Sequence, residues 1–301
     1  MNSKVSLFKT AMQKVYGPYD LAAQPDTTWE PGNTGGYHGR YLWTDAFGVL
    51  NFITLSREDS SHGSAYLHLA RQLANTVYEV LGREREPPGS AARLPGASDD
   101  TPLPGGLRIG KLDASAPDGD GMYHHYLTLW VYALDGHLDD VTGFVVCRML
   151  RDTAQRFHAS GDDVLASEIE QYARIMENTD ISLSGDPLDL GIGLWLAHFD
   201  RDAAWSRKLS ARALEIARGR FLVAAANPLT PSSRLHRLAF RKFGACLGIK
   251  CYEEGLGPVM EGIETILDIW KGKILDGEDD QVEDLKPTNL VMYVAALMPR
   301  G

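Results

Sequence analysis

The stretch GGYHGRYLWTDAFGVLNFITL, residues 35–55, decides how this chain is read. From Arg40 to Leu55 apolar side chains fall on nearly every side of a helical projection, and most of the few polar ones sit in the first turns. A helix of that kind is enclosed by other elements rather than laid on a surface. It carries one acid, Asp45, with Tyr41 one turn before and Gly48 and Val49 one turn after. Such a carboxylate is costly to bury unless it is hydrogen-bonded or faces a wet cavity.

Working outward, the same periodicity recurs through most of the chain, while alternating strand-like runs are almost absent. Met122 to Leu134, Leu188 to Ala197, Leu235 to Ile249 and Leu290 to Leu297 are apolar nearly all round, like the first helix. Tyr66 to Leu81 differs: Leu67, Ala70, Leu73, Ala74, Val77 and Leu81 share a face opposite His68, Arg71, Gln72, Asn75 and Glu79. That is the pattern of a surface helix. Further amphipathic candidates lie at residues 141–158, 162–178, 202–220 and 257–271, so enclosed and surface helices alternate. Asp186 before Pro187, and Pro287 with Thr288, read as helix starts. About eleven helices result, and the class is all-α. Alternation of this kind is what an inner and an outer ring would produce, in one domain spanning residues 1–301.

Residues 82–121 interrupt the rhythm with a long Pro/Gly-rich loop. REREPPGSAARLPGASDDTPLP has the composition of a mobile excursion. GGLRIGK, with Leu107 and Ile109 alternating against Arg108 and Lys111, reads as a short strand over a cavity mouth.

Composition excludes several classes. No window reaches the roughly 18–20 apolar residues of a bilayer span. The N-terminal MNSKVSLFKTAMQKVY places Lys4, Lys9 and Lys14 where a signal peptide needs apolar residues. A cytosolic protein without a membrane partner is expected. Cys147, Cys246 and Cys251 form no CxxC pair and read as buried thiols. A formal charge of −10 opposes nucleic-acid binding. GxSxG, P-loop and HExxH motifs are missing from the sequence, and no cofactor is expected.

Candidate chemistry gathers in four clusters. In the first, partial desolvation of Asp45 raises its pKa toward that of a general acid or base. The alternative is an acid fixed structurally by Arg40 or by a neighbouring helix. Gly48 leaves space beside the acid on this reading, and Tyr37, His38, Arg40 and Trp43 at the helix entrance suit a small polar ligand. Tyr37 and Trp43 serve equally well as core residues. In GDGMYHHYLTLWVYAL, residues 119–134, Gly121, His124 and Thr128 form a polar stripe and Tyr123 joins an apolar one. His124 with Asp45 makes an acid and base pair. His124 and His125 point about 100° apart on a helix and cannot share a metal ion from one face, so no metal is expected. In the third cluster Asp186 is a cap, and Asp189 either completes the cap or meets ligand. In the fourth, Arg241 either joins a solvated basic stripe or clamps an anion with Arg108 or Lys111.

RYLWTDAFGVLNF resembles the inner-helix motifs of the six-hairpin glycosidase-like superfamily, the α/α toroids that include unsaturated glucuronyl hydrolases and, as structural relatives, N-acylglucosamine 2-epimerases. YLWTDAFG, GGLRIGK and HYLT together are similar to members of that superfamily of unknown activity. The resemblance implies a full or incomplete six-hairpin ring around a cavity, and at residue level it rests on the segments of Trp43 and Asp45 and of Tyr123 to Thr128. It implies a catalytic role for Asp45, which follows a Trp on an early inner helix as in the hydrolases. A second family carboxylate would fall at Asp186 or Asp189, though neither carries the surrounding motif. The epimerases use inner-helix histidines, which points to His124. The chain is shorter than typical members, which implies a missing or reduced hairpin.

Together these readings describe an enzyme acting on a glycoside or similar polyhydroxylated molecule by acid/base chemistry. An isomerase or cyclase working in the same cavity would conserve mass instead. In a non-catalytic binding module, Asp45 would be saturated by structural hydrogen bonds.

Overall fold

The structure, a computed structural model, describes residues 3–22, 29–85, 92–100, 105–115, 119–135, 207, 211, 239–251, 257–276 and 285–298. The expected helices at 141–158, 162–178, Leu188 to Ala197 and 202–220 lie outside these residues, apart from two helical positions at 207 and 211. Among the described residues all regular structure is helical, with two isolated bridges, Tyr37 with Arg40 and Arg83 with Arg93. No described helix is long and apolar enough to cross a membrane.

The chain separates into two compact units, one of Met1–His137, Pro231–Phe240 and Ile269–Gly301, the other of Leu138–Thr230 and Arg241–Asp268. In the first unit α1 is Ser3–Tyr16, α2 Leu42–Glu58, α3 Gly63–Leu81 and α4 His124–Asp135. Helix α5, Ala239–Lys250, begins in the first unit and continues into the second; α6 is Gly257–Asp276 and α7 Lys286–Leu297.

Helix α2 is the enclosed element that residues 35–55 announce. Thirteen of its residues, Leu42 to Val49 and Asn51 to Leu55, are buried. It packs against α1, α3, α4 and α7. Two of its buried polar side chains find partners on α7: Asn51 donates to the Val291 carbonyl at 3.0 Å, and the Thr44 and Thr288 hydroxyls share a 2.7 Å bond. Helix α7 is equally enclosed from Val291 to Leu297 and carries Pro287 in its first turn, where the missing N–H has no helical partner to lose. Its Asn289 Oδ1 accepts the backbone N–H of Phe240 at 2.7 Å, satisfying a donor in the first turn of α5.

Helix α3 is amphipathic as expected, with its buried stripe turned slightly. Tyr66 and Leu69 are buried with Ala70, Leu73, Val77 and Leu81, while Leu67 and Ala74 are half-buried. The large Tyr66 ring takes the core side, against Tyr19 at 6.3 Å. Helix α1 is not anticipated from the sequence, where its lysines dominate. Yet Val5, Phe8, Met12 and Val15 recur at helical spacing and are buried. Its Lys9 reaches Asp59 at the end of α2, 2.5 Å away.

Two expectations for residues 82–121 change. GGLRIGK is ordered, but it is no ladder strand: Arg108 N donates to Leu81 O at 3.0 Å, Ile109 N to Gly121 O at 3.0 Å, and Gly110 O accepts from Tyr37 N at 2.8 Å. The flank expected to be mobile is tied down where it is described. Arg93 donates to the Tyr78 carbonyl at 2.7 Å and pairs with Glu79 and Asp99, which also hold Arg83. Charge pairing anchors this flank, and composition alone does not reveal partners.

Gly48 is also corrected. Its missing side chain leaves no empty space, because the Tyr16 ring fills it and donates its hydroxyl to the Thr44 carbonyl at 3.1 Å. A Cβ there would sit 2.5 Å from Tyr16 Cζ, closer still to its hydroxyl, and 2.9 Å from Leu73 Cδ2. Gly48→Ala is therefore expected to destabilise the protein by about 1–3 kcal/mol through overpacking, although alanine is the better helix former. Urea unfolding checks this; an unchanged or higher midpoint would refute the close packing.

Candidate functional site

The approach to α2 is built before the helix begins. Residues Tyr37 to Arg40 make a tight turn in which His38 and Gly39 have φ of 47° and 79°. Positive values at both central positions are the mark of the type I′ hairpin turn. The turn is closed by Arg40 N to Tyr37 O at 3.0 Å and braced by Thr34 N to Gly39 O at 2.9 Å. It leaves His38 exposed at its tip.

Arg40 turns inward from this hairpin. Its guanidinium meets Asp45 Oδ1 at 3.3 Å and donates to the carbonyls of Pro31, at 3.3 Å, and Gly32. The Thr34 hydroxyl lies 3.4 Å from Asp45 Oδ2, and the Asp45 amide donates to Tyr41 O at 3.0 Å. Asp45 is wholly buried and Arg40 is 2% exposed. At an effective dielectric near 20 the attraction at this separation is roughly 5 kcal/mol, against a desolvation cost of several kcal/mol for each ion. Burial wins: it pushes the Asp45 carboxyl up to about 6, against the opposing pull of Arg40, the Tyr41 amide, Thr34 and Tyr16. The raised value that the sequence suggests is present, and so is the structural partner, Arg40.

The aromatic residues form a separate, half-exposed face. The Tyr41 and Tyr126 hydroxyls share a 2.5 Å hydrogen bond. Tyr126 also meets Trp43, with ring centroids 5.3 Å apart, and Tyr123, at 6.3 Å. Trp43 is 8% exposed, so the core role prevails for most of its ring, and its indole N–H points to Met292 Sδ at 3.3 Å. Tyr41, Tyr123 and Tyr126 remain half-buried.

A third cluster surrounds Tyr37. The Arg85 and Arg108 guanidinium carbons lie 4.4 and 4.7 Å from its ring centroid. Arg108 is buried and fully engaged, donating to Arg83 O at 2.7 Å, to Val80 O at 3.0 Å and to Asp120. It braces the loop, and the group it holds is the Asp120 carboxylate. Lys111 contributes its backbone, whose N–H reaches Asp120 at 3.0 Å and whose carbonyl accepts from Arg85 at 2.6 Å.

Of the residues singled out from the sequence, the structure joins Arg40 to Asp45 and Tyr37 to Arg108, and the Lys111 backbone shares Asp120 with Arg108. Helix α4 brings Tyr123 toward Trp43 through Tyr126. The side chains of His124 and Thr128 lie outside the described residues, as does Asp189 altogether. Arg241 is exposed and belongs to the other unit. Sequence reading missed Tyr126, Arg85 and Asp120. Tyr126 follows Tyr123 by three residues on one helix face, and Asp120 stands between two glycines; both were legible signals. Among the described residues no group of three His, Cys, Asp or Glu side chains is placed to hold a metal ion. In the second unit Cys246 is buried and its thiol is pushed up to about 12, chiefly by burial, so it stays protonated. No protein-family model, curated protein or solved structure matches the chain.

The Asp45 value gives a pH signature. Its folded pKa of about 6 exceeds the model-compound 3.8, so the folded state holds the proton more firmly between those values. Stability from this group is then greatest below about 4 and falls as pH rises toward 6, by on the order of 3 kcal/mol. In thermal melts Asp45→Asn should lack this slope. Arg40→Gln should be less stable by about 3 kcal/mol and carry the slope at higher pH, because the strongest opposing charge is gone. Identical pH profiles for the wild type and Asp45→Asn would refute the buried-acid assignment.

Proposed function

We propose that this chain is an α/α-toroid protein that binds a small polyhydroxylated ligand, a glycoside or a related molecule, against the tyrosines where α2 meets α4. The observation that carries the reading is the half-exposed Tyr41 and Tyr126 pair, with its shared hydroxyl bond, beside Trp43 and Tyr123. Aromatic faces with adjacent hydroxyls offer a sugar both an apolar platform and hydrogen-bonding partners. The toroid is supported by the contrast between enclosed α2 and α7 and amphipathic α1 and α3. It is supported also by the packing of α7 on α1 and α2, which closes the first and last described helices on one another. In this reading Asp45 is a strut: with Arg40 it fixes the hairpin that leads into Tyr41.

A second reading makes the protein an enzyme with Asp45 as general acid. One observation favours it, the carboxyl held near 6, where protonated and charged forms coexist close to neutrality.

One experiment addresses both. Methyl glucosides and methyl glucuronides are titrated by saturation-transfer NMR, and products are followed by mass spectrometry. Tyr41→Phe and Tyr126→Phe should each weaken binding by about tenfold, the effect of losing one well-made hydrogen bond to a ligand. Binding that ignores both changes refutes the shelf. Turnover by the wild type that Asp45→Asn abolishes would replace the strut with the acid; a product of unchanged mass would mean isomerisation.

A further inference from the structure

We infer that Arg85, Arg108 and the backbone of Gly110 and Lys111 form a cradle for a small oxyanion, and that Asp120 is its built-in occupant. Asp120 Oδ1 accepts the Gly110 N–H at 2.7 Å and the Lys111 N–H at 3.0 Å. Its Oδ2 accepts from Arg85 Nη1 at 2.9 Å and from Arg108 Nη1. Two successive amides and two guanidiniums converging on one group make a donor set suited to a carboxylate, phosphate or sulfate. The geometry depends on Gly110, whose φ is 84° and whose Cβ, were it present, would strike the Arg40 carbonyl. Among the described residues, two guanidiniums face this one carboxylate. The Asp120 side chain is fully buried and Arg108 nearly so, while Arg85 is 26% exposed and gives the cradle a side open to solvent.

The occupant stands between Gly119 and Gly121, so the backbone carrying it has few steric limits on rotation. An external oxyanion that takes its place keeps both guanidiniums paired and both amides bonded. The exchange bears on the hairpin, since both guanidiniums lie over Tyr37 and Gly110 O accepts the Tyr37 N–H at 2.8 Å. The cradle thus offers a small oxyanion a means of adjusting the turn that carries Tyr37 and His38. This inference is independent of the sugar shelf, and its test uses no sugar.

Inorganic phosphate and formate are titrated separately into the full-length protein while the amide resonances of Gly110, Lys111 and Tyr37 are followed by NMR. In the wild type the three amides should shift together and saturably by tens of millimolar. Asp120→Asn, which removes the internal charge and keeps the volume, should bind about tenfold or more tightly, and Asp120→Asn with Arg85→Gln should lose the binding. Phosphate acting alone marks a tetrahedral ligand; formate acting equally marks any oxyanion. Tight binding by Asp120→Asn with no saturable shift in the wild type would overturn exchange, and no binding by folded Asp120→Asn would overturn the cradle. Should Asp120→Asn fail to fold, Arg85→Gln alone decides: it must abolish the wild-type shifts, and shifts that persist overturn the proposal.

Discussion

The pairing of Arg40 with Asp45 is the constraint around which the first unit is arranged. Helix α2 is buried on almost every side, so whatever enters it must arrive already satisfied. Asp45 is satisfied by a cation supplied from the hairpin five residues earlier, together with the Thr34 hydroxyl, which itself accepts the Tyr41 N–H. The same guanidinium gathers the carbonyls of Pro31 and Gly32. One ion pair therefore fixes the start of the helix, the approach of the preceding chain and the direction in which Tyr41 leaves the interior. Breaking it would leave a charge without a partner in a dry place, the costly case for any buried pair.

The sequence made the class and the central helix legible because both rest on local spacing. An apolar residue on every face of residues 42–55 means enclosure whatever surrounds it, and the stripe from Ala70 to Leu81 reads correctly for the same reason. What stayed hidden depends on partners distant in the chain. Gly48 looked like open space because nothing local shows that Tyr16 would fill it. Residues 92–100 looked loose because Arg93 finds Tyr78 and Glu79 only after α3 is in place. For Asp45 the sequence supplied both possible fates, and the distance to Arg40 adds weight to the structural one.

The candidate site shows the same division. Tyr37, Arg40, Trp43 and Tyr123 were visible as polar and aromatic residues crowding helix entrances, where ligand groups often gather. Their grouping was not visible. Tyr37 and Arg108 belong with Asp120, whereas Trp43 and Tyr123 belong with Tyr126. A single crowded segment of sequence therefore serves two chemically different places, one aromatic and hydroxyl-rich, the other cationic.

Those two places share one structural element. The hairpin from Tyr37 to Arg40 is stacked under two guanidiniums on one side and pinned by Asp45 on the other, and it continues directly into Tyr41. It has little slack: its turn holds a histidine at positive φ, a conformation that most side chains avoid. A shift in how Asp120 is held would be felt at Tyr37, and through the short turn at the backbone that aims Tyr41 toward Tyr126. Hydrogen bonds tie the hairpin at both ends, Tyr37 N to Gly110 O at 2.8 Å and Thr34 N to Gly39 O at 2.9 Å.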